Sequence, residues 1–94
     1  MSKSIIQDNK DCYRCHTVLN LEKHHCLFGP YRKKAETDGL WVYLCHNHHT
    51  GDQGVHTTDP AYKLILQQKA QLAYMEEKHK TIEDFIERYG RNYL

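Results

Sequence analysis

The chain has 94 residues, and 13 Lys and Arg stand against 12 Asp and Glu, so its formal net charge is +1. A chain of this length has a small hydrophobic core, and domains of this size often depend on a metal or a disulfide for stability. The balanced charge does not indicate a general nucleic-acid binder, so any DNA contact must come from a local basic cluster. No apolar run approaches the roughly 20 residues that cross a bilayer, so we expect no membrane partner.

Residues 1–11 are polar apart from Ile5 and Ile6 and are predicted to form a loosely ordered arm or a short edge element. They lack the apolar segment of a secretion signal, so we expect a cytoplasmic, reducing location. In such a location a Cys-x-x-Cys pair indicates metal binding or redox chemistry. A thioredoxin-like redox site needs a surrounding βαβ pattern, which the sequence does not show.

The middle of the chain has the pattern of two short strands followed by a ligand-bearing turn. Aliphatic and β-branched residues predict a strand at about 22–28, which ends at the turn dipeptide Gly29-Pro30. Residues 31–39 are predicted to be loop or, in their second half, a single helical turn. The clearest strand covers 40–44 and leads directly into Cys45-x-x-His48. This order predicts a ββα unit.

The last third of the chain is predicted to contain two helices. Asp59-Pro60 is a helix start signal, and the helix should run to about Lys78. Thr81-x-x-Asp84 predicts a capping box for the second helix, which Gly90 ends. The apolar face of the first helix is predicted to comprise Tyr62, Ile65, Leu66, Leu72, Ala73 and Met75. The predicted fold is a single small α+β domain over 1–94, with a ββα core at about 12–58 and a helical extension at 59–94.

Two ligand pairs with the same two-residue spacing predict a structural zinc site. They are Cys12-x-x-Cys15 and Cys45-x-x-His48. Three thiolates and one imidazole suit tetrahedral Zn²⁺ with no open position. Buried free cysteines are the alternative, but the paired spacing favours the metal. Cys26 lies beside a Leu-Phe pair and is predicted to pack in the core.

A second set of histidines lies around this site. A strand alternates its faces, so the adjacent His24 and His25 should point in opposite directions. One could bind a metal while its neighbour stays free, an arrangement that suits phosphodiester hydrolysis with the free imidazole as general base. We call the segments Cys12–Cys15 and Cys45–His48 the first and second knuckle. His16 and His46, each of which directly follows a knuckle cysteine, are predicted to be exposed.

These motifs, in their order along the chain, resemble a known nuclease family. Cys-x-x-Cys, then Glu-Lys-His-His, then Leu-Cys-x-x-His-His resembles the HNH endonucleases of the ββα-metal (His-Me finger) class. The run Gly-Leu-Trp-Val-Tyr-Leu-Cys-His-Asn-His-His with a following Gly-Val-His is similar to phage-encoded HNH proteins, including the recombination-promoting nuclease group. The resemblance covers about residues 12–56, and residues 60–94 match no family.

The resemblance implies a role for each matched histidine. His24 would bind the catalytic divalent ion, His25 would be the general base, and His49 would be the second ligand. His56 is a candidate third ligand, because the position where the family often carries one is Gln53 in this chain. Mg²⁺ is the expected ion, with Mn²⁺, Ni²⁺ or Zn²⁺ as other candidates since imidazole also binds softer ions.

One family position has no match in this chain. Members usually carry an Asn before the second knuckle that helps to orient the general base, and here that position falls near Leu40. Asp38 is the nearest polar substitute, whereas Asn47 lies inside the knuckle and is a poor geometric match. Either Asp38 orients the base, or the site is less ordered than in typical members.

The cluster Arg32, Lys33 and Lys34 lies between the two histidine elements, where a nuclease would meet the DNA backbone. Such contacts position a duplex without reading its sequence, so phosphate binding is slightly favoured over a plain solvated loop. The expected partner is therefore DNA, without strong sequence preference. The long first helix also permits a homodimer, and a recombination or packaging protein is a further possible partner.

The expected function is a metal-dependent DNA endonuclease of HNH type in a bacterial or phage-encoded setting. Water activated by His25 would attack phosphorus, and an ion on His24 and His49 would stabilise the developing charge. The alternative is a non-catalytic zinc module that binds nucleic acid, which would not need these three histidines together. A zinc-dependent nucleobase deaminase is disfavoured because its His-x-Glu and Pro-Cys-x-x-Cys motifs are missing.

Overall fold

The computed structural model describes residues 3–94, so Met1 and Ser2 of the predicted arm lie outside the described residues. In chain order the elements are β1 (Leu21–His25), a 3-10 turn (Gly29–Tyr31), α1 (Arg32–Asp38), β2 (Trp41–Cys45), α2 (His46–His49), α3 (Pro60–Glu77) and α4 (Ile82–Tyr89). The predicted α+β class, with a ββα arrangement and two C-terminal helices, is confirmed. Within residues 3–94, none of the helices has the length and apolar character needed to span a membrane.

The two strands form an antiparallel hairpin that sets the positions of His24, His25 and Cys45. Leu21 pairs with Cys45, and His24 pairs with Val42. β1 is shorter than predicted, because the backbone leaves the sheet after His25 and turns at Gly29, where φ is +67°. Cys26 therefore follows the strand, although it is fully buried, as predicted.

Residues 32–38 form the helix α1, so the predicted loop is wrong for most of this segment. The run Arg-Lys-Lys-Ala-Glu consists of strong helix formers, which explains the helix. The basic charge of its first three residues is typical of a solvated loop, which is why the sequence predicts one. Ala35 is buried and attaches the helix to the core. The helix ends at Gly39, which has φ +76° and caps the final carbonyls.

The N-terminal arm lies along the open edge of β2 and is not loose there. Ser4 Oγ donates to the Trp41 carbonyl at 2.5 Å, and the Tyr43 N–H donates to Gln7 Oε1 at 2.8 Å. A further bond joins the Tyr13 N–H to the Tyr43 carbonyl. The arm thus satisfies backbone groups that an edge strand would otherwise leave unpaired.

The predicted signals at the helix ends are confirmed. Asp59 accepts a hydrogen bond from the Tyr62 N–H at 3.0 Å, and Pro60 occupies the first helical position of α3. Thr81 and Asp84 form the complete capping box of α4, with bonds of 3.0 and 3.1 Å. Gly90 then ends α4 with φ +84°.

The apolar face predicted for α3 is only partly correct. Leu66 is buried, but Ile65 is 42 % exposed and Leu72 is 52 % exposed. The helix packs through a narrower stripe at four-residue spacing, Leu66, Ala70 and Tyr74, and the Tyr74 ring contacts Phe85 and Tyr89 of α4. Gln71 beside this stripe is also fully buried, whereas Ile65 and Leu72 remain largely in solvent.

Candidate metal centres and active site

The predicted grouping of Cys12, Cys15, Cys45 and His48 is observed. The hairpin register places Cys45 at the end of β2, α2 follows at once and supplies His48, and the first knuckle folds against them. His48 Nδ1 lies 3.2 Å from Cys45 Sγ and 3.8 Å from Cys12 Sγ. The Cys15 and Cys45 sulfurs are 3.8 Å apart.

These separations match a tetrahedral ion. Sulfurs that each lie about 2.3 Å from a central Zn²⁺ are about 3.8 Å apart at tetrahedral angles. The chemistry of Cys12 also fits, because burial raises its pKa but backbone N–H groups of Cys45, Cys15 and Arg14 outweigh that effect and lower it to about 6. A thiol with this pKa is mostly thiolate at neutral pH, which is the form that binds zinc. The four side chains could therefore hold a metal such as zinc.

A second cluster consists of His24, His49 and His56, whose nearest ring nitrogens all lie within 4.8 Å of one another. The ring centroids are 5.0 to 5.3 Å apart. His24 is buried, and among the described residues neither of its ring nitrogens has a hydrogen-bond partner. Burial lowers the pKa of His24 to about 3, and the neighbouring His49, His56 and His25 add to this effect, so the ring is neutral. A neutral imidazole with an unused lone pair is what a metal ion requires.

The loop after α2 brings His56 into this cluster through its glycines. The His56 N–H donates to the His49 carbonyl at 3.2 Å, which folds the loop back onto α2. A Cβ on Gly54 would lie only 2.6 Å from that carbonyl oxygen, so a side chain there would block the fold. Gln53, at the family's ligand position, points elsewhere and bonds to Asn47.

Glu22 contacts the cluster through His49, and no sequence motif predicts a role for it. Its two carboxylate oxygens contact His49 Nδ1 at 2.8 Å and His46 Nδ1 at 2.9 Å. Hydrogen bonds from His46 and His49 keep the pKa of Glu22 below its usual value. The contact fixes a proton on His49 Nδ1 and leaves Nε2 free for a ligand. Strand alternation could have revealed this residue, since Glu22 lies two positions before His24 on the same face.

His25 points away from the histidine cluster, as strand alternation predicts. Its Nε2 lies 2.8 Å from a carboxylate oxygen of Glu36, and Arg32 Nε lies 3.4 Å from its Nδ1. Lys23, on the same face of β1, bonds both Glu36 oxygens at 3.1 and 3.3 Å. No sequence motif indicated Glu36, because its segment is predicted to be loop or a single helical turn, and only the helix α1 brings its carboxylate to His25.

The expectation that Asp38 orients the general base is corrected by these contacts. The carboxylate beside His25 belongs to Glu36. The two oxygens of Asp38 instead accept hydrogen bonds from Arg88 at 2.6 and 3.1 Å, and from the Tyr89 hydroxyl at 2.6 Å. Asp38 thus ties α1 to α4, because the last turn of α1 faces the C-terminal helix.

A cleft of about 390 Å³ joins the two faces at the end of the hairpin. Its lining includes His25, His49 and His56, so side chains from β1, from α2 and from the loop after α2 open onto the same space. Lys23, Phe28, Gly29, Arg32 and Thr50 complete it.

The predicted phosphate-binding cluster divides between this cleft and the protein surface. Arg32 lines the cleft, whereas Lys33 is exposed beside it. Lys34 turns away and donates to the Arg88 carbonyl at 3.2 Å. His16 and His46 are exposed, as predicted, and contact Asp11 and Glu22 respectively.

The described residues define a small α+β domain with a Cys3His group that could hold a metal ion. No family model, curated protein or solved structure matches the chain. The arrangement of the hairpin and α2 is ββα-like.

Proposed function

We propose that this protein is a metal-dependent HNH-type endonuclease that hydrolyses DNA phosphodiester bonds. The observation that carries the proposal is the buried ring of His24, whose two nitrogens have no hydrogen-bond partner within residues 3–94 and which meets His49 and His56 beside the cleft. An unsatisfied buried polar group costs about 1–3 kcal/mol. Such a cost is expected where the group serves a ligand and not the fold.

His25 is assigned as the general base. Its side chain is 9 % exposed and lines the cleft from the face opposite His24. One ring nitrogen of His25 would take the proton from water as the water oxygen attacks phosphorus. The bond from phosphorus to the leaving sugar oxygen then breaks, and that oxygen leaves as an alkoxide on the second strand end and takes a proton from solvent water. Imidazole suits this task because it exchanges protons near neutral pH.

The histidine cluster is assigned to the catalytic ion. A divalent ion bound there would neutralise the charge that develops on the phosphate and on the leaving oxygen. The three donors are all imidazoles, which bind Mn²⁺, Ni²⁺ and Zn²⁺ more readily than Mg²⁺. Glu22 keeps His49 turned toward this position through its 2.8 Å contact.

Cationic side chains are assigned to the DNA backbone. Lys23 and Arg32 line the cleft, and the exposed Lys33 extends the positive surface beyond it. A guanidinium can bind a phosphate through two parallel hydrogen bonds, so Arg32 is the strongest candidate. Contacts of this kind position the strand without selecting its sequence.

The proposal is tested by nicking of supercoiled plasmid in the presence of Mg²⁺, Mn²⁺, Ni²⁺ or Zn²⁺. The test variant is His25→Asn, and the matched control is His16→Asn at an exposed histidine. Loss of a general base is expected to slow nicking by about 10²–10⁴-fold, while the control cleaves normally. Equal nicking by both variants would remove His25 from the mechanism. A wild-type protein that binds DNA but nicks with none of the ions would favour the non-catalytic zinc module.

A further inference from the structure

We propose that Glu36 is the positioning residue of the general base: it fixes a proton on His25 Nε2 and so makes Nδ1 the basic nitrogen. This inference rests on the proposed function, in which His25 accepts a proton from water. It assigns the orienting role to a helical glutamate between the two strands.

Two independent contacts require the same form of the ring. An ionised carboxylate only accepts hydrogen bonds, so the 2.8 Å contact with Glu36 requires a proton on Nε2. A guanidinium only donates, so the 3.4 Å contact from Arg32 requires a lone pair on Nδ1. A neutral imidazole satisfies both contacts in one tautomer alone, with hydrogen on Nε2 and the lone pair on Nδ1.

Glu36 is itself held in place. Lys23 contacts both of its oxygens, and the Lys23 ammonium lies 4.1 Å from the centre of the Trp41 ring. The hydrogen bond from His25, with that from Lys23, keeps the pKa of Glu36 below its usual value, so the carboxylate stays ionised at neutral pH. A fixed acceptor of this kind orients a ring more strictly than a mobile surface glutamate could.

Arg32 explains how the basic nitrogen would become available. Arg32 and His25 line the same cleft, and the guanidinium covers Nδ1. A phosphate is a stronger partner for arginine than a neutral imidazole is. DNA in the cleft would therefore draw Arg32 away and leave Nδ1 facing water.

A purely structural role for Glu36, as a bridge between α1 and β1, predicts a different result from a positioning role. Only the positioning role requires that the tautomer of His25 depend on the carboxylate. Glutamine is a suitable replacement because it keeps the size of the side chain but offers both a donor and an acceptor. Glu36→Gln therefore preserves the contact between α1 and β1. It no longer favours the tautomer of His25 that carries hydrogen on Nε2 over the one that carries it on Nδ1.

The experiment is a ¹H–¹⁵N correlation spectrum of the histidine rings in zinc-loaded protein, with Glu76→Gln as a control at an exposed helical glutamate. We expect the wild type and the control to carry the proton on Nε2 alone, and Glu36→Gln to populate both tautomers. In the nicking assay we expect kcat to fall about 10–100-fold in Glu36→Gln with KM unchanged, by analogy with carboxylates that orient metal-bound histidines.

The outcomes separate this inference from the proposed function. An identical tautomer and rate in Glu36→Gln would overturn the positioning role, even if the wild type is an active nuclease. A wild type that fails to nick DNA would overturn the proposed function, while a tautomer that shifts in Glu36→Gln would still support control of the ring by Glu36. The backbone spectrum shows whether each variant is folded.

Discussion

The adjacent residues His48 and His49 contact different clusters. His48 Nδ1 lies 3.2 Å from Cys45 Sγ, whereas the His49 ring lies 5.3 Å from the His24 ring, measured between centroids. Successive residues of a helix point about 100° apart, so a single helical turn can serve two sites. α2 thus supplies one ligand to the Cys3His group, His48, and the next residue, His49, to the proposed catalytic site.

This division predicts opposite effects for two neighbouring substitutions. His48→Ala removes a ligand from the Cys3His group, and structural zinc contributes roughly 10–16 kcal/mol in zinc-finger peptides, so we expect loss of cooperative folding. His49→Ala should leave the thermal transition largely in place, because its ring serves the second cluster. Circular dichroism melting curves of both variants provide the measurement. Similar loss of folding in both would mean that the two sites are not separable.

The buried ring of His24 predicts a specific pH dependence in protein that carries one zinc per chain. Burial lowers the pKa of His24 to about 3, against 6.5 in its unperturbed state, so the unfolded chain takes up a proton that the fold excludes. The stability linked to His24 is therefore complete above pH 6.5 and is lost as the pH falls toward 3. His24→Leu should lose less stability than the wild type between pH 7 and pH 5.5.

The same substitution should raise stability at neutral pH. Leucine removes two unsatisfied nitrogens from the core, and replacing such a group with an apolar one of similar size is often neutral or stabilising by about 1 kcal/mol. Urea unfolding at both pH values gives the comparison, with His79→Asn as a control at an exposed histidine whose φ of +54° asparagine tolerates. If the wild type and His24→Leu lose equal stability between pH 7 and pH 5.5, protonation of His24 is not the cause of the pH dependence.

The parts of the fold that could be predicted from sequence are those with a strong local signal. The Cys-x-x-Cys and Cys-x-x-His spacings, the strand before Cys45, and the caps at Asp59 and Thr81 each indicate one geometry. Strand alternation also separated His24 from His25 correctly.

The misses have a common physical origin in contacts between distant segments. The basic run at 32–34 predicts a loop and residues 35–39 predict a loop or one helical turn, whereas a single helix covers Arg32–Asp38 and carries Glu36. Asp38 was assigned to the active site although its partners, Arg88 and Tyr89, lie about fifty positions away in sequence. No local pattern reports such a pair.

Glu22 predicts a selective effect on the second ion. Glu22→Gln removes the charge that fixes a proton on His49 Nδ1, and loss of such a partner typically weakens metal affinity by about 10–100-fold. The Cys3His group should bind zinc as before, since Glu22 contacts none of its members. Calorimetric titration of one-zinc protein with Mn²⁺ measures the effect. The control is His46→Asn, at the exposed partner of the same carboxylate, which should change the affinity little.

Asp38 predicts an effect on stability and not on catalysis. Its side chain is 11 % exposed and accepts three hydrogen bonds from α4. Asp38→Asn should lower the free energy of unfolding by about 1–2 kcal/mol, a modest value because Arg88 is one-third exposed. Asp52→Asn, at an exposed loop position, serves as the control in urea unfolding. Reduced nicking by folded Asp38→Asn at full saturation would return this residue to the active site.

We propose that this small domain binds a structural metal at the Cys3His group and a separate catalytic metal at the histidine cluster. The most direct measurement is plasmid nicking by protein that carries one zinc per chain, before and after addition of Mn²⁺. We predict no nicking before addition and a rate that then rises to saturation as the second ion binds. Equal nicking without the added ion, or none at any Mn²⁺ concentration that fills a second site, would contradict the account.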